Sequence, residues 1–121
     1  MGKFRDVGIL IIYCALIFFV SSLARVPLPE EFPNQDKLLH LLAYGLMAAL
    51  AWRSFRHFVQ DISWLAIYCI GFCGLYGLSD EIHQYYVPGR TSSLYDVGAD
   101  LLGATLAVYL IRIFKPSLVV G

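Results

Sequence analysis

The chain alternates between long apolar stretches and short polar links. The apolar stretches cover residues 7–24, 38–52, 62–79 and 97–111. A helix that crosses a membrane needs about 17–25 mostly apolar residues, so the first and third stretches suffice alone. The second and fourth reach that length when the polar residues before them form the first helical turns. We therefore predict an all-α polytopic membrane protein, a bundle of four transmembrane helices with spans at about 7–24, 35–53, 62–81 and 94–112.

Helix-start and helix-stop signals support these boundaries. Asn34 is suited to cap the second helix, and the segment from Ser93 to Asp96 has the capping-box pattern of a serine followed three residues later by an acid. Pro88 and Gly89 favour a turn before the fourth helix. We expect one domain over residues 1–121. A cleaved signal peptide that ends near residues 22–24 is an open alternative for the first span.

The composition agrees with a membrane protein and excludes some partners. Hydrophobic residues make up 59% of the chain and charged residues only 15%, whereas soluble domains usually contain about 25% charged residues. The formal net charge is zero, which gives no support for a nucleic-acid partner. The three cysteines lie within apolar stretches, where packing is their expected role, and no disulfide is predicted.

The distribution of basic residues predicts the orientation. Six of the nine lysines and arginines lie near the two ends of the chain or in the link at residues 53–61, which four spans place on one side of the membrane. Loops rich in Lys and Arg usually face the cytoplasm. We therefore expect both termini in the cytoplasm, with the protein in an inner or plasma membrane. The remaining links would face outward.

Polar residues recur at helical spacing on three of the predicted spans. The acidic, basic and neutral members of these stripes are Asp36, Lys37, His40 and Tyr44 on the second span, Asp80, Glu81 and Gln84 on the third, and Asp96 and Asp100 on the fourth. An acid that faces lipid costs about 2.5–3.5 kcal/mol near a helix centre. We expect the three stripes to face one another and to form an outward polar pocket.

The residue types in this pocket are suited to acid–base chemistry. Acids outnumber the two strong cations, Lys37 and Arg90. We assign His40 or Glu81 as a base and Asp96 as the group that orients its partner. Lys37, Arg90 and the backbone amides near Ser93 would hold an anionic group. Other binding residues would be those that remain in the stripes, namely Asp36, Tyr44, Asp80, Gln84 and Asp100.

The same residues are also compatible with three roles that need no acid–base chemistry. The charges could lock the helices together without any ligand, or they could form a non-catalytic binding module. A metal site that uses His40, Glu81, Asp96 or Asp100 is a further alternative, although no metal or other cofactor is assigned.

Aromatic and histidine residues near the span ends are expected at the membrane surface. His57 and His83 are expected to face water. Trp52, Trp64, Phe58, Tyr85 and Tyr86 are expected to be interface anchors, because such rings favour the boundary between hydrocarbon and water.

The order and spacing of the polar motifs resemble the VanZ-like family. The motifs are Asp36-Lys37 with His40, Tyr44-Gly45, Asp80-Glu81 with Gln84, Pro88-Gly89-Arg90, and Asp96 with Asp100 and Gly103. The resemblance extends from about residue 27 to residue 107. It implies a small bacterial integral membrane protein of a family named for a member linked to teicoplanin resistance. Asp100 departs from the family pattern, which usually has asparagine there.

The partners implied are the lipid bilayer and a ligand such as an anionic lipid or a cell-envelope precursor. The sequence leaves open whether the protein is an enzyme, and whether it forms an oligomer.

Overall fold

The computed structural model describes residues 2–22, 35–87 and 94–114. It contains four helices, α1 (Gly2–Ser21), α2 (Gln35–Phe55), α3 (Ile62–Tyr85) and α4 (Leu94–Phe114). All four are long and apolar enough to cross a membrane, and no strand occurs in the described part of the chain. The predicted class, an all-α bundle of four membrane helices, is confirmed.

Two helices extend further than the apolar stretches indicate. α1 begins at Gly2, and α3 continues to Tyr85 rather than ending near residue 81. Asp80, Glu81 and Gln84 are buried, so these polar side chains face the inside of the bundle. The helix therefore continues through this polar segment. α2 and α4 begin directly after Asn34 and Ser93, but the two expected capping residues lie outside the described residues.

α2 and α4 run parallel and form the most extensive interface of the bundle. Two glycines allow their backbones to approach closely. A Cβ at Gly103 would collide with the carbonyl oxygen of Leu41, and a Cβ at Gly45 would lie 3.3 Å from the carbonyl oxygen of Gly103. Small residues at such crossings are typical of helices that pack within a membrane.

The glycines of α3 divide between a helix interface and open space. A Cβ at Gly77 would collide with the carboxylate of Asp100, and one at Gly74 would come within 2.7 Å of Leu101. α3 and α4 are therefore neighbours. Gly71 has no atom within 4 Å of an added Cβ, so its small size serves no contact here.

α1 packs against α2 and α3 through tyrosine hydroxyl groups. The hydroxyl of Tyr13 donates to the carbonyl of Ala43, and that of Tyr76 donates to the carbonyl of Cys14. These hydrogen bonds give buried polar groups a partner within the bundle.

The core lies mainly between α2, α3 and α4, and it includes one residue expected at the surface. Trp52 is 0% exposed and packs in the same cluster as Met47 and Leu65, so its assignment as an interface anchor is wrong. It faces the neighbouring helices because it lies on the α2 face that carries Met47, Ala48 and Ala51. The other four expected anchors are exposed, namely Phe58, Trp64, Tyr85 and Tyr86.

Candidate functional site

The start of α2, the end of α3 and the start of α4 meet at one end of the bundle, which we call the polar end. α2 and α4 are parallel and α3 is antiparallel to both, so the acidic and basic stripes of three helices converge there. Four carboxylates of this end are buried, namely those of Asp80, Glu81, Asp96 and Asp100.

His40 and Asp100 form the shortest ring-to-carboxylate contact among the described residues of the polar end. His40 Nδ1 lies 2.8 Å from Asp100 Oδ1, and Asp100 is 0% exposed. The other carboxylate oxygen, Oδ2, is buried without a hydrogen-bond partner among the described residues and packs against Gly77. Asp100 was expected only as a binding residue, yet it is the acid that contacts the histidine.

Lys37 and Asp96 form an ion pair between α2 and α4. Lys37 Nζ lies 2.9 Å from Asp96 Oδ1, and the other oxygen of Asp96 lies 3.9 Å from His40 Nε2. The latter distance exceeds that of a hydrogen bond. The lysine side chain is 32% exposed and the histidine side chain 17%, so this edge of the cluster is its accessible part.

Tyr44 joins α2 to α3 below the histidine. Its hydroxyl donates to Asp80 Oδ2 at 3.3 Å, and its ring lies parallel to that of His40 with centroids 6.2 Å apart. The phenol is a neutral donor that gives this buried carboxylate a hydrogen-bond partner within the bundle. The structure thus brings Lys37, His40, Tyr44, Asp80, Asp96 and Asp100 together.

Glu81 and Gln84 lie on the last turns of α3, and each is 3% exposed. Glu81 lines an open cleft of about 260 Å³ whose other walls are apolar: Leu78, Ile82, Tyr85, Tyr86 and Leu94. The cleft joins the end of α3 to the start of α4. It places a carboxylate beside an apolar groove.

The position of three expected site residues is not described. Arg90 and Ser93, and the side chain of Asp36, lie outside the described residues.

A second polar cluster, at the opposite end, was missed by the sequence analysis. Asp6 of α1 is buried, and His57 Nε2 lies 2.9 Å from its Oδ2. Arg53 Nη2 lies 3.4 Å from Oδ1, and the hydroxyl of Ser54 donates to the backbone carbonyl of Asp6. The one signal for this cluster in the sequence is an acid among the basic residues that precede the first apolar stretch.

His57 and His83 were both expected to face water; both are partly exposed, and both also contact α1. His57 binds Asp6, as above. The ring of His83 stacks on Phe18 of α1 with centroids 4.5 Å apart, and its Nδ1 lies 3.3 Å from the hydroxyl of Ser21. Both expectations overlooked α1, because sequence spacing does not reveal which helix covers a given ring.

No group of three or more His, Cys, Asp and Glu side chains in the described ranges is arranged to hold a metal ion. The metal alternative therefore finds no support there.

The sequence profile of the VanZ/LLP1 family matches residues 14–115, which is most of the chain. The chain belongs to the VanZ/LLP1 family. The matched region contains every helix that contributes to the polar end, whereas Asp6 precedes it. The resemblance drawn from the polar motifs is confirmed.

A protein of Schizosaccharomyces pombe, described as uncharacterised, is similar to this VanZ/LLP1 chain. The two are 31% identical over 103 residues, which are 84% of this chain and 61% of the yeast protein. The chain thus spans less than two thirds of that relative. No solved structure matches.

Proposed function

We propose that the protein binds the headgroup of an anionic lipid or of a cell-envelope precursor at the polar end, and that His40 exchanges a proton with that headgroup. The observation that supports this most directly is the contact between His40 and the fully buried Asp100. One ring nitrogen is held by a carboxylate, while the other lies at the accessible edge of the cluster beside Lys37.

The contact with Asp100 selects one form of the imidazole ring. Nδ1–H donates to the carboxylate, so Nε2 carries the lone pair in the neutral ring. Nε2 lies 3.9 Å from Asp96, too far for a direct hydrogen bond and therefore open to a substrate atom. A histidine oriented in this way by a buried acid is suited to act as a general base.

An anionic headgroup would be held at the same edge. Lys37 carries positive charge there, and α4 begins at Leu94, where the backbone amides of a first helical turn favour anions. Arg90 and Ser93 are proposed to complete this part of the site, with Asp36, Tyr44, Asp80 and Gln84 around it. In this proposal Asp96 positions Lys37, because the two form the ion pair.

Glu81 is proposed as a second acid–base group on the side of the cleft. Glu81 lines the cleft at the level where α3 ends, and the other lining residues are mostly apolar. A membrane amphiphile could lie with its chain along that cleft and its headgroup towards the cluster, because the cleft is open. Glu81 would then face the headgroup from the side opposite to Lys37.

The alternative is a non-catalytic module in which the charged residues mainly lock the helices or bind an envelope or glycopeptide-type ligand without reaction. Lys37 with Asp96 joins α2 to α4, and Tyr44 with Asp80 joins α2 to α3. Removal of one partner costs about 3–5 kcal/mol for a buried ion pair and about 1–3 kcal/mol for a buried hydrogen bond, so such contacts alone could explain a need for these residues.

The test compares the envelope lipids and cell-wall precursors of a strain that lacks the gene. The strain is rescued with the wild type, with His40→Gln, with Glu81→Gln, or with the control His57→Gln, which removes a histidine at the opposite end. We expect His40→Gln to fail to restore the wild-type profile and the control to restore it, because His40 Nε2 is the nitrogen proposed to meet the headgroup.

The amount and melting temperature of each purified variant separate the two functions. Failure of a folded His40→Gln protein supports proton exchange, and loss of the protein itself supports the structural alternative. Restoration of the profile by His40→Gln would contradict the proposed acid–base role. Restoration of the profile by Glu81→Gln would mean that Glu81 has no part in the acid–base chemistry.

We also propose a bacterial inner or plasma membrane with both termini in the cytoplasm as the location. The six basic residues near the chain ends and in the 53–61 link support the orientation. A relative in Schizosaccharomyces pombe means that similar chains are not confined to bacteria.

A further inference from the structure

The start of α1 and the end of α2 form a basic corner at the end of the bundle opposite to the polar end. Asp6 lies at its centre and is within 3.5 Å of Arg5 Nε and 3.4 Å of Arg53 Nη2. His57 contacts the other oxygen of this carboxylate at 2.9 Å. A single buried acid therefore draws side chains of two helices and the link after α2 into one place.

Positive charge exceeds negative charge at this end. Among the described residues, the five basic side chains are Lys3, Arg5, Arg53, Arg56 and Arg112. The two acids are Asp6, which already contacts basic side chains, and Asp61. Asp61 caps α3 by accepting from the backbone amides of Ser63 and Trp64. Five positive and two negative charges leave a net charge of +3 with neutral histidine.

Two arginines in the corner have hydrogen-bond donors that find no acceptor in the described part of the chain. These donors are the Nε atoms of Arg53 and Arg56, and both atoms are buried. The contact of Arg53 with Asp6, at 3.4 Å, is longer than a good charged hydrogen bond. A guanidinium has five N–H donors in a planar fork, and a phosphate group can accept two of them at once.

The corner lies at the depth of lipid headgroups. Lys3 Nζ is 5.2 Å from the centroid of the Phe58 ring, and Phe58 and Trp64 are exposed. Exposed aromatic rings at the ends of membrane helices mark the boundary between hydrocarbon and water. Arginines at the C-terminus of α2 are also favoured there by the helix dipole.

We propose that this basic corner is a binding site for the phosphate of an anionic phospholipid, held by the guanidinium groups of Arg53 and Arg56 with Lys3 beside them. The accessible N–H groups of the two guanidinium forks donate to the phosphate oxygens, and the surplus of positive charge favours a lipid with net negative charge over a zwitterionic one. The site is separate from the polar end, so it does not depend on the proposed function.

The test uses the purified full chain in detergent and native mass spectrometry with added dioleoylphosphatidylglycerol, dioleoylphosphatidylcholine or inorganic phosphate. We expect the wild type to retain the anionic lipid preferentially. The double variant Arg53→Gln/Arg56→Gln should weaken its retention about tenfold, because the charge-assisted hydrogen bonds are lost. Arg56→Gln alone, which leaves Arg53 at Asp6 in place, should give part of that loss.

The matched control is Arg112→Gln, which removes an equal charge from the exposed end of α4. Its effect should stay below about twofold, because an isolated surface charge contributes little. If Arg112→Gln and Arg56→Gln weaken lipid retention equally, retention depends on overall charge and not on a specific site, which would overturn the proposal. Unchanged retention in the double variant, no preference between the two lipids, or equal affinity for inorganic phosphate would also overturn it.

Discussion

The buried carboxylate of Asp100 illustrates how one residue type changes the chemistry of the polar end. An asparagine at this position would offer a neutral oxygen to His40 Nδ1. The aspartate offers a charged one and can stabilise a protonated imidazole. Its second oxygen has no hydrogen-bond partner in the described part of the chain, and a buried polar atom without a partner costs stability. Gly77 packs closely against this oxygen.

Tyr44→Phe tests the buried hydrogen bond to Asp80. The substitution leaves a nearly buried carboxylate without this donor, so we expect a loss of about 1–3 kcal/mol in stability. The measurement is the melting temperature of the protein in detergent. The control is Tyr109→Phe, because Tyr109 is exposed and should tolerate the change. Equal melting temperatures for Tyr44→Phe and the wild type would mean that the hydroxyl contributes nothing.

At the level of elements, the α2–α4 interface positions the polar end. Leu41 directly follows His40 and Gly103 lies about one turn after Asp100, so the helix separation at this glycine contact sets the distance between the ring and the carboxylate. Close backbone approach in a membrane depends on residues without side chains. The packing of two helices and the geometry of the candidate site are therefore coupled.

Gly103→Ala tests this coupling. The added methyl group would collide with the Leu41 carbonyl, and overpacking of this kind usually costs about 1–3 kcal/mol. We expect a lower melting temperature and the same failure to restore the lipid profile as for His40→Gln.

Gly71→Ala is the matched control, since nothing lies within 4 Å of its added methyl group. It should melt at the wild-type temperature or slightly above, because alanine favours a helix. A stable Gly103→Ala protein with a wild-type lipid profile would show that the two helices can separate without consequence.

On the scale of the whole molecule, the two ends of the bundle have opposite charge. Among the described side chains, the polar end has one lysine against four carboxylates, and the opposite end has the surplus of arginine described above. This asymmetry favours a fixed orientation in the membrane, because basic ends are retained in the cytoplasm.

Reporter fusions test the orientation in bacteria. We expect green fluorescent protein to fluoresce when fused to either terminus, and alkaline phosphatase to be inactive there but active when inserted in the link that follows Tyr86. The reason is that phosphatase matures outside the cytoplasm, where the polar end should lie. Phosphatase activity at a terminal fusion would reverse the predicted orientation.

The sequence by itself determined the four membrane helices, their approximate positions and the three polar stripes at one end. These follow from apolar length and helical spacing, which are local properties of the chain. His40 and Tyr44 share a face for that reason alone. The family also followed from the order of the motifs.

Only the tertiary structure decided which residues of different helices meet. His40 contacts Asp100 at hydrogen-bond distance and Asp96 only at 3.9 Å, although both acids lie on one stripe of α4. The burial of Trp52 and the contact between Asp6 and His57 likewise depend on where a distant helix packs. Helix crossing distances arise from the packing of the whole bundle, so spacing along one helix cannot supply them.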